Sequence, residues 1–482
     1  MIVIFFNTVY IIHHRKLEKR EIEMKRYVLF VCLFLSSLAG VYAQSIAPFQ
    51  KGDRIAFVGN SITCGGHYHS YIWLYYMTRF PDQRIDIFNE GVGGDVAEMI
   101  YQRLDKVFEH EPTVVTLSFG MNDVGYMDFR KPGADTIARN RVEKAWRDYA
   151  LIEEVYKKYP EVRKILIGSS PYDETSRFNK VAFPGKNTPI LEIVDFLNAR
   201  ENQWGFVDFN RPMVAINQWE QAADSMYTLC GKDRIHPSTD GHLVMAYLFL
   251  KAQGLAGKPV ADIRIDGAGK KVTRSDNCRV SDLSISSDNL TFTYEAKSLP
   301  YPIDTSYYDN EKHTQADALS VIPFMDEMNY EGLSVSGLSD GYYGLTIGGE
   351  FIGRFTAREL ERGINMALLQ NTPQYKQAMK IRQMNEERWL KERKMREFYW
   401  VEYNLMRKTG MLWACNEAAV DTLRKYRPHD IFLQWNGALW LQYMHKGIRE
   451  DCVNEQQDLV NQIYEQNKPI PLRIEIKKFT DL

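Results

Sequence analysis

Between residues 53 and 256 the chain alternates between two hydrophobic patterns, and this alternation restricts its fold more than any other feature. Short apolar runs stand at Ile55–Val58, Ile85–Phe88, Val114–Leu117, Ile165–Ile167 and Phe206–Phe209. Between them lie longer stretches with helical spacing: Val96–Val107, Ile137–Tyr159, Leu191–Asn202 and, last, Leu243–Leu255. Short strands alternating with helices build βαβ units on a parallel sheet, so the expected class is α/β. Helices then cover both faces of the sheet, and functional loops gather at the carboxyl ends of its strands.

The 482 residues leave room for about three domains. Residues 44–256 form the α/β unit. Residues 257–355 are rich in Ser, Asp, Gly and β-branched residues and predict a small β-rich module. Within it, Leu345–Ile347 and Glu350–Ile352 flank Gly348-Gly349, which reads as a hairpin with a two-residue turn. Residues 356–482 predict a helical region. Its stretch 374–409 is dense in Lys, Arg and Glu, with Ala378, Ile381, Met384, Met395, Phe398 and Leu405 on a loose stripe. The charges there read as a solvated helix face. Trp389, Trp400, Trp413, Trp435 and Trp440 also fall in this region. Core packing is the default for such residues, and a sugar-stacking platform is the alternative.

Residues 1–43 stand apart from the fold. Lys25 and Arg26 precede an apolar run from Tyr27 to Leu38, and Val41-Tyr42-Ala43 places small residues before Gln44. This is the layout of a secretory signal peptide, with Met24 as a plausible start and an upstream extension before it. The apolar run is shorter than the ~20 residues a membrane span needs. The chain is therefore expected to be exported, to the periplasm or outside the cell. Cys64, Cys230, Cys278, Cys415 and Cys452 then remain, an odd and scattered set with no C-x-x-C pair, so neither a disulfide scaffold nor a zinc knuckle is expected. Nothing in a net charge of −2 suggests broad nucleic-acid or membrane-surface binding, which needs a concentrated basic field.

Four short segments carry the chemistry. Gly59-Asn60-Ser61 follows the first strand and offers a serine that is either a helix cap or a nucleophile. Gly91-Val-Gly93-Gly94-Asp95 follows the second, and its glycines permit close backbone approach to a ligand. Asp95 and Glu98 there resemble a capping box. Gly120-Met-Asn122-Asp123 follows the third strand. Asn122 can donate to a developing oxyanion without adding charge, and Asp123 suits a loop-holding role. Asp233-Arg-Ile-His236-Pro237 precedes the last helix, and its carboxylate can orient the His236 imidazole. His67 and His69 follow Ser61 as His-x-His. With no third ligand in view they read as an ordinary surface loop or as substrate-binding residues at the cleft mouth, not as a metal pair. Cys64 reads as a small buried thiol.

In order and strand-end placement, the four blocks resemble the SGNH (GDSL-like) hydrolase superfamily over about residues 53–256. One departure is Asn60, where the family often has Asp. The resemblance implies a three-layer α/β/α, flavodoxin-like fold and ester hydrolysis by a catalytic triad of Ser61, His236 and Asp233. It also implies an oxyanion hole made of the Ser61 and Gly94 N–H groups and the Asn122 amide, with no metal or organic cofactor. Export and a large accessory region point to an acylated glycan as substrate, with acetyl or a similar small group removed. A lipase, lysophospholipase or acyl-thioesterase is the alternative within the family, and an inactive glycan-binding protein the alternative outside it.

Overall fold

The computed structural model describes residues 46–200, 203–306 and 313–479. The signal-peptide expectation falls outside these residues. Five parallel strands form the first sheet: β1 (Arg54–Gly59), β2 (Asp86–Gly91), β3 (Val114–Phe119), β4 (Arg163–Gly168) and β5 (Gly205–Asp208). Their order is β2-β1-β3-β4-β5, so the direction of winding reverses between β1 and β3. In such sheets a crevice opens at the carboxyl ends where the order reverses. Ile55, Val58, Val115, Leu117 and Leu166 are fully buried, as a sheet covered on both faces demands. The α/β class and the flavodoxin-like order are therefore as expected.

The covering helices differ in detail. The stretch Val96–Val107 is two short helices, Ala97–Tyr101 and Leu104–Phe108. The helix Tyr68–Arg79 is buried at every position. It is enclosed on both sides by the helix Thr239–Ala252 and a helix from the far end of the chain, Pro373–Val401, so even its His69, Ser70, Thr78 and Arg79 are buried.

Residues beyond 257 make two further sheets. One contains β6 (Ala261–Asp266), β7 (Lys271–Asp276), β10 (Glu331–Ser336) and β13 (Ile364–Asn365). The other contains β8 (Cys278–Ile285), β9 (Asn289–Ala296), β11 (Tyr342–Ile347), β12 (Glu350–Thr356) and β14 (Leu472–Lys478). Their inner faces share a core of Ile263, Leu333, Phe292, Leu345 and Ile474. The hairpin β11–β12 forms with Ile347 opposite Glu350, as its turn residues predict. β14 lies between β9 and β11, in the middle of its sheet. The region 356–482 is thus not wholly helical, and its last strand completes the β-rich module. The connecting stretch also crosses over: Leu299, Tyr301, Ile303 and Phe324 join the core of the α/β unit.

The charged run 374–409 has the expected solvated face, with Lys376, Lys380, Glu387 and Lys394 exposed, but its opposite side is buried and just as polar. Thr372 caps the helix Pro373–Val401, and Pro373 opens it. Along one side Arg382, Asn385, Arg388, Glu392 and Arg396 are all buried. Their spacing of three or four residues makes a single polar stripe. Arg382 pairs with Asp304, Asn385 Nδ2 donates to Ser70 Oγ at 3.0 Å, and Arg388 pairs with Glu392 at 2.9 Å. Arg396 lies 3.4 Å from Glu90 of β2. Burial pushes the Glu90 carboxyl up, but Arg396, His110 and Arg103 hold it at about 2, so it stays ionised. The buried side of the helix is thus a polar seam, paired within itself at Arg388 and Glu392 and with the rest of the chain at Asp304, Ser70 and Glu90. Glu417–Tyr426 and Ile431–Tyr443 pack on its end around Phe398, Leu423, Leu433 and Trp440, whereas Lys446–Gln466 runs back along it, from Lys391 bonded to Glu455 to Gln377 donating to the Gln466 carbonyl.

Candidate active site

The first strand ends at Gly59, and Ser61 is the first residue of the helix Ser61–Gly65. Asn60 holds the cap position: its Oδ1 accepts the Ile62 N–H at 3.0 Å. The side chain that departs from the family pattern does the capping, and the Ser61 hydroxyl is left for another partner. That partner is His236, whose Nε2 lies 2.8 Å from Ser61 Oγ.

His236 is held from its other nitrogen. Nδ1 lies 2.5 Å from Asp233 Oδ2, while Asp233 Oδ1 accepts the N–H groups of Ile235 and His236 at 2.9 and 3.0 Å. Partial desolvation raises the Asp233 carboxyl, but the hydrogen bond and charge of His236 and these N–H groups outweigh it and leave it below the usual range. Asp233 is thus ionised and fixes which His236 nitrogen carries the proton. The loop is pinned from beneath by Arg234, which is buried in a left-handed backbone conformation and donates to the carbonyls of Asp173 and Asn179.

The second and third blocks meet beside this relay. Gly94 has φ of +85°, which a side chain would resist. A Cβ on Gly91 would fall 2.2 Å from the Cys64 nitrogen, so only glycine lets β2 run this close to the helix Ser61–Gly65. Asn122 Nδ2 donates to the Asp95 carbonyl at 3.0 Å, which brings its amide next to the Gly94 turn. Its Oδ1 accepts the Tyr126 hydroxyl at 2.6 Å, so the amide cannot turn over without losing both bonds.

Asp123 holds the loop, as its place in the block suggests. Its oxygens accept the N–H groups of Ala97 and Gly120, both at 2.8 Å, and burial pushes its carboxyl up to about 6. Asp95 and Glu98 do not form the expected capping box. Asp95 is buried against Arg103, 2.7 Å from its Nε, and the helix Ala97–Tyr101 takes its cap from Asp123 instead. Arg103 also donates to the carbonyls of Glu90 and Gly59 and so ties the ends of β1 and β2 together.

Ser61, Gly94, Asn122, Asp233 and His236 therefore gather in one place, whereas His67 and His69 do not join them. His69 is fully buried, with Nε2 3.0 Å from the Thr63 carbonyl, and burial pushes its imidazole down to about 4. The His67 ring stacks on Trp389 at 3.8 Å. Neither is free to receive a substrate, and the assignment to the cleft mouth is corrected on that ground. Burial drives the Cys64 thiol up to about 11, so it is no rival nucleophile at neutral pH.

Three side chains support the site in ways the sequence did not indicate, although Trp400 stood out there as one of the tryptophans of the helical region. Lys186 is fully buried and donates to the carbonyls of Met121 and Gly125 at 2.7 and 2.5 Å. Its ammonium lies 3.7 Å from the centre of the Tyr126 ring, and burial pushes it down to about 7. It supports the Asn122 loop from below. On the opposite side Trp400 donates its indole N–H to the Gly93 carbonyl at 3.1 Å. Arg234 is the third. All three act through backbone carbonyls distant in sequence, which no local motif records.

The GDSL-like lipase/acylhydrolase family matches residues 57–244, and a diltiazem deacetylase C-terminal helical domain matches residues 379–468. The solved structure of a gut microbial diltiazem-metabolizing enzyme is 42% identical, covers 91% of this chain and all of its own, and superposes with a TM-score of 0.88. An acetylxylan esterase of Geobacillus stearothermophilus is 23% identical over 227 residues, which span 42% of this chain and 95% of that protein. A solved structure of a catalytic mutant of that enzyme covers 44% of this chain and 97% of its own, with 19% identity and a TM-score of 0.34.

Proposed function

The chain belongs to the GDSL-like lipase/acylhydrolase family of ester hydrolases, and from that premise we propose that it removes acetyl groups from ring-bearing alcohols, acetylated sugars first among them. The single observation that carries the reading is the unbroken relay from Ser61 Oγ through His236 to Asp233.

In the proposed reaction, His236 Nε2 takes the Ser61 proton as Oγ attacks the acyl carbon. The negative charge that forms on the carbonyl oxygen is met by the N–H groups of Ser61 and Gly94 and by Asn122 Nδ2. The Ser61 N–H stands at the first position of its helix, where no preceding turn supplies a carbonyl to take it. His236 then gives its proton to the departing alcohol oxygen, leaving an acetyl group on Ser61. Water attacks that ester as His236 accepts its proton, and acetate and free serine result. Asp233 steadies the imidazolium in both halves.

The acetyl preference is supported by the deacetylase domain match and by the acetylxylan esterase relative. A chain-length series of nitrophenyl esters tests it. The rate should be highest for acetate. A preference for chains of about eight carbons or more, each buried CH₂ adding ~0.8 kcal/mol, would instead identify a lipase or thioesterase. Acetylated xylo-oligosaccharides test the sugar. A second reading, in which the natural substrate is an aryl drug-like acetate, is favoured by the 42% identity to the diltiazem-metabolizing enzyme, and diltiazem itself tests it. Failure of a fluorophosphonate to label Ser61 in folded protein would leave only a binding role. Export belongs to the same proposal, and amino-terminal sequencing of secreted or periplasmic protein should find Gln44 first.

A further inference from the structure

The helix Ile431–Tyr443 is apolar on two sides, and only one is explained by packing. Leu433, Gly437 and Trp440 face the core it shares with Phe398. Ile431, Phe432 and Trp435 do not: they are 48%, 49% and 64% exposed. Apolar rings displayed together in this way mark contact sites rather than ordinary surface.

These rings are continuous with the active site. The Phe432 ring lies 5.4 Å from Trp435 and 5.4 Å from Trp400, centre to centre. Trp400 in turn lies against the oxyanion turn: its Cδ1 would be 3.1 Å from a Cβ on Gly93, and its N–H is bonded to the Gly93 carbonyl. The shelf is rigidly built. Asp430 accepts the N–H groups of Phe432 and Leu433 at 2.8 and 3.2 Å, fixing the start of that helix. Immediately after Trp400 and Val401, the long helix passes into a π-helical segment, Glu402–Met406, a distortion frequent at functional sites. Glu402 is buried there and accepts the Trp440 indole N–H at 2.7 Å, which locks the two helices together.

We propose that Trp400, Phe432 and Trp435 form a shelf that binds the alcohol half of the substrate, and that this half is a ring with an apolar face. The inference rests on the acetyl-esterase reading. An acetyl group is too short to leave the oxyanion turn and travel along three rings, so only the other half of the ester reaches them. Flat aromatic surfaces suit a partner that lays a face on them, through CH groups or a π-system, and offer little to an open chain. Pyranose rings and fused aryl rings share this chemistry.

The test compares Trp435→Ala and Phe432→Ala with the unaltered enzyme on three acetate esters: acetylated xylotriose, diltiazem and methyl acetate. Each variant should lower the ratio of kcat/KM for a ring ester to that for methyl acetate by about tenfold, through KM. Trp435→Phe, which keeps a ring, should restore most of it. A loss with xylotriose alone identifies a pyranose, a loss with diltiazem alone identifies an aryl ring, and either supports the shelf. Unchanged ratios for both ring esters overturn it, also where gel filtration shows the variants splitting a dimer, since the face is then a subunit contact. In a Ser61→Ala background, xylotriose or diltiazem should quench tryptophan fluorescence less in Trp435→Ala than in its parent. Quenching that persists unaltered also overturns the shelf. Trp435-dependent quenching, where the parent enzyme with Ser61 intact cleaves none of the three acetates, would instead retain the shelf and sink the esterase reading.

Discussion

The backbone N–H of Asn89 donates to Glu392 Oε1 at 2.9 Å, joining β2 to a helix 303 residues further along the chain. Asn89 also donates from its side chain to the Cys64 carbonyl at 2.9 Å, on the helix that begins with Ser61. The C-terminal helix is thus bonded to the strand and helix that carry two of the catalytic blocks. Breaking a buried ion pair by removing one partner costs about 3–5 kcal/mol, because the remaining charge stays buried. Glu392→Ala should therefore lower the unfolding free energy by about 3 kcal/mol, read from the urea midpoint, and the double variant with Arg388→Met should recover part of it. A loss below about 1 kcal/mol would mean that the polar stripe does not hold the two regions together.

Ser61→Ala should reduce kcat on nitrophenyl acetate by at least about 10⁴-fold, and Asp233→Asn by about the same, since the amide would favour the wrong imidazole tautomer. The Asp233 and His236 side chains are 49% and 46% exposed, so neither supports the core. Melting temperatures should accordingly stay within a few degrees of the parent. Turnover retained in Ser61→Ala would end the acyl-enzyme mechanism.

Asn122 and Tyr126 separate a donor from its support. Asn122→Ala removes an oxyanion donor and should lower kcat about 10²–10³-fold with little change in KM. Tyr126→Phe removes only the 2.6 Å bond that fixes the amide. Its loss should be smaller, about tenfold, and again confined to kcat. Equal losses in the two variants would show that Tyr126 touches the substrate itself.

Much of this site was legible in the sequence because each block sits at the end of a strand, where short-range pattern and chemistry coincide. Ser61, Gly94, Asn122 and the pair Asp233 and His236 are of that kind. His67 and His69 misled because the helix they border is enclosed on both sides, which depends on a segment hundreds of residues away. The buried side of the charged run 374–409 was hidden for the same reason, while its solvated side is as expected. A stripe such as Arg388, Glu392 and Arg396 has the spacing of a solvent-facing ion-pair ladder, and only its partners Asn89 and Glu90 reveal it as interior. β14 was missed because Leu472–Lys478 finds its neighbours β9 and β11 far back in the chain.

Lys186 tests how much the Asn122 loop depends on its floor. Replacing it by Met keeps the length and removes the donor, leaving the carbonyls of Met121 and Gly125 without their partner. An unsatisfied buried carbonyl costs about 1–3 kcal/mol. Lys186→Met should lower stability by about 2 kcal/mol and kcat by about tenfold, with KM little changed. A variant that loses stability but keeps full kcat would show that the loop holds its shape without the lysine.

Glu331 gives the fold a dependence on pH that is independent of catalysis. It is fully buried on β10, where Oε1 accepts the Tyr294 hydroxyl at 2.9 Å and Gln374 Nε2 at 3.1 Å, while Oε2 has no hydrogen-bond partner among the described residues. Burial pushes its carboxyl up to about 7, against an ordinary value of 4.5. The folded state thus holds a proton between these values that the unfolded chain has released. The stabilisation is complete below pH 4.5 and is lost as pH rises through 7, by up to about 3 kcal/mol. Glu331→Gln, which cannot ionise, should be no more stable than the parent at pH 4.5 and more stable at pH 8. The difference should open across the interval between the two values in urea unfolding followed by fluorescence. Parallel stability curves for the two proteins would mean that Glu331 stays ionised in the folded state, with the nearby Arg79 charge outweighing its burial.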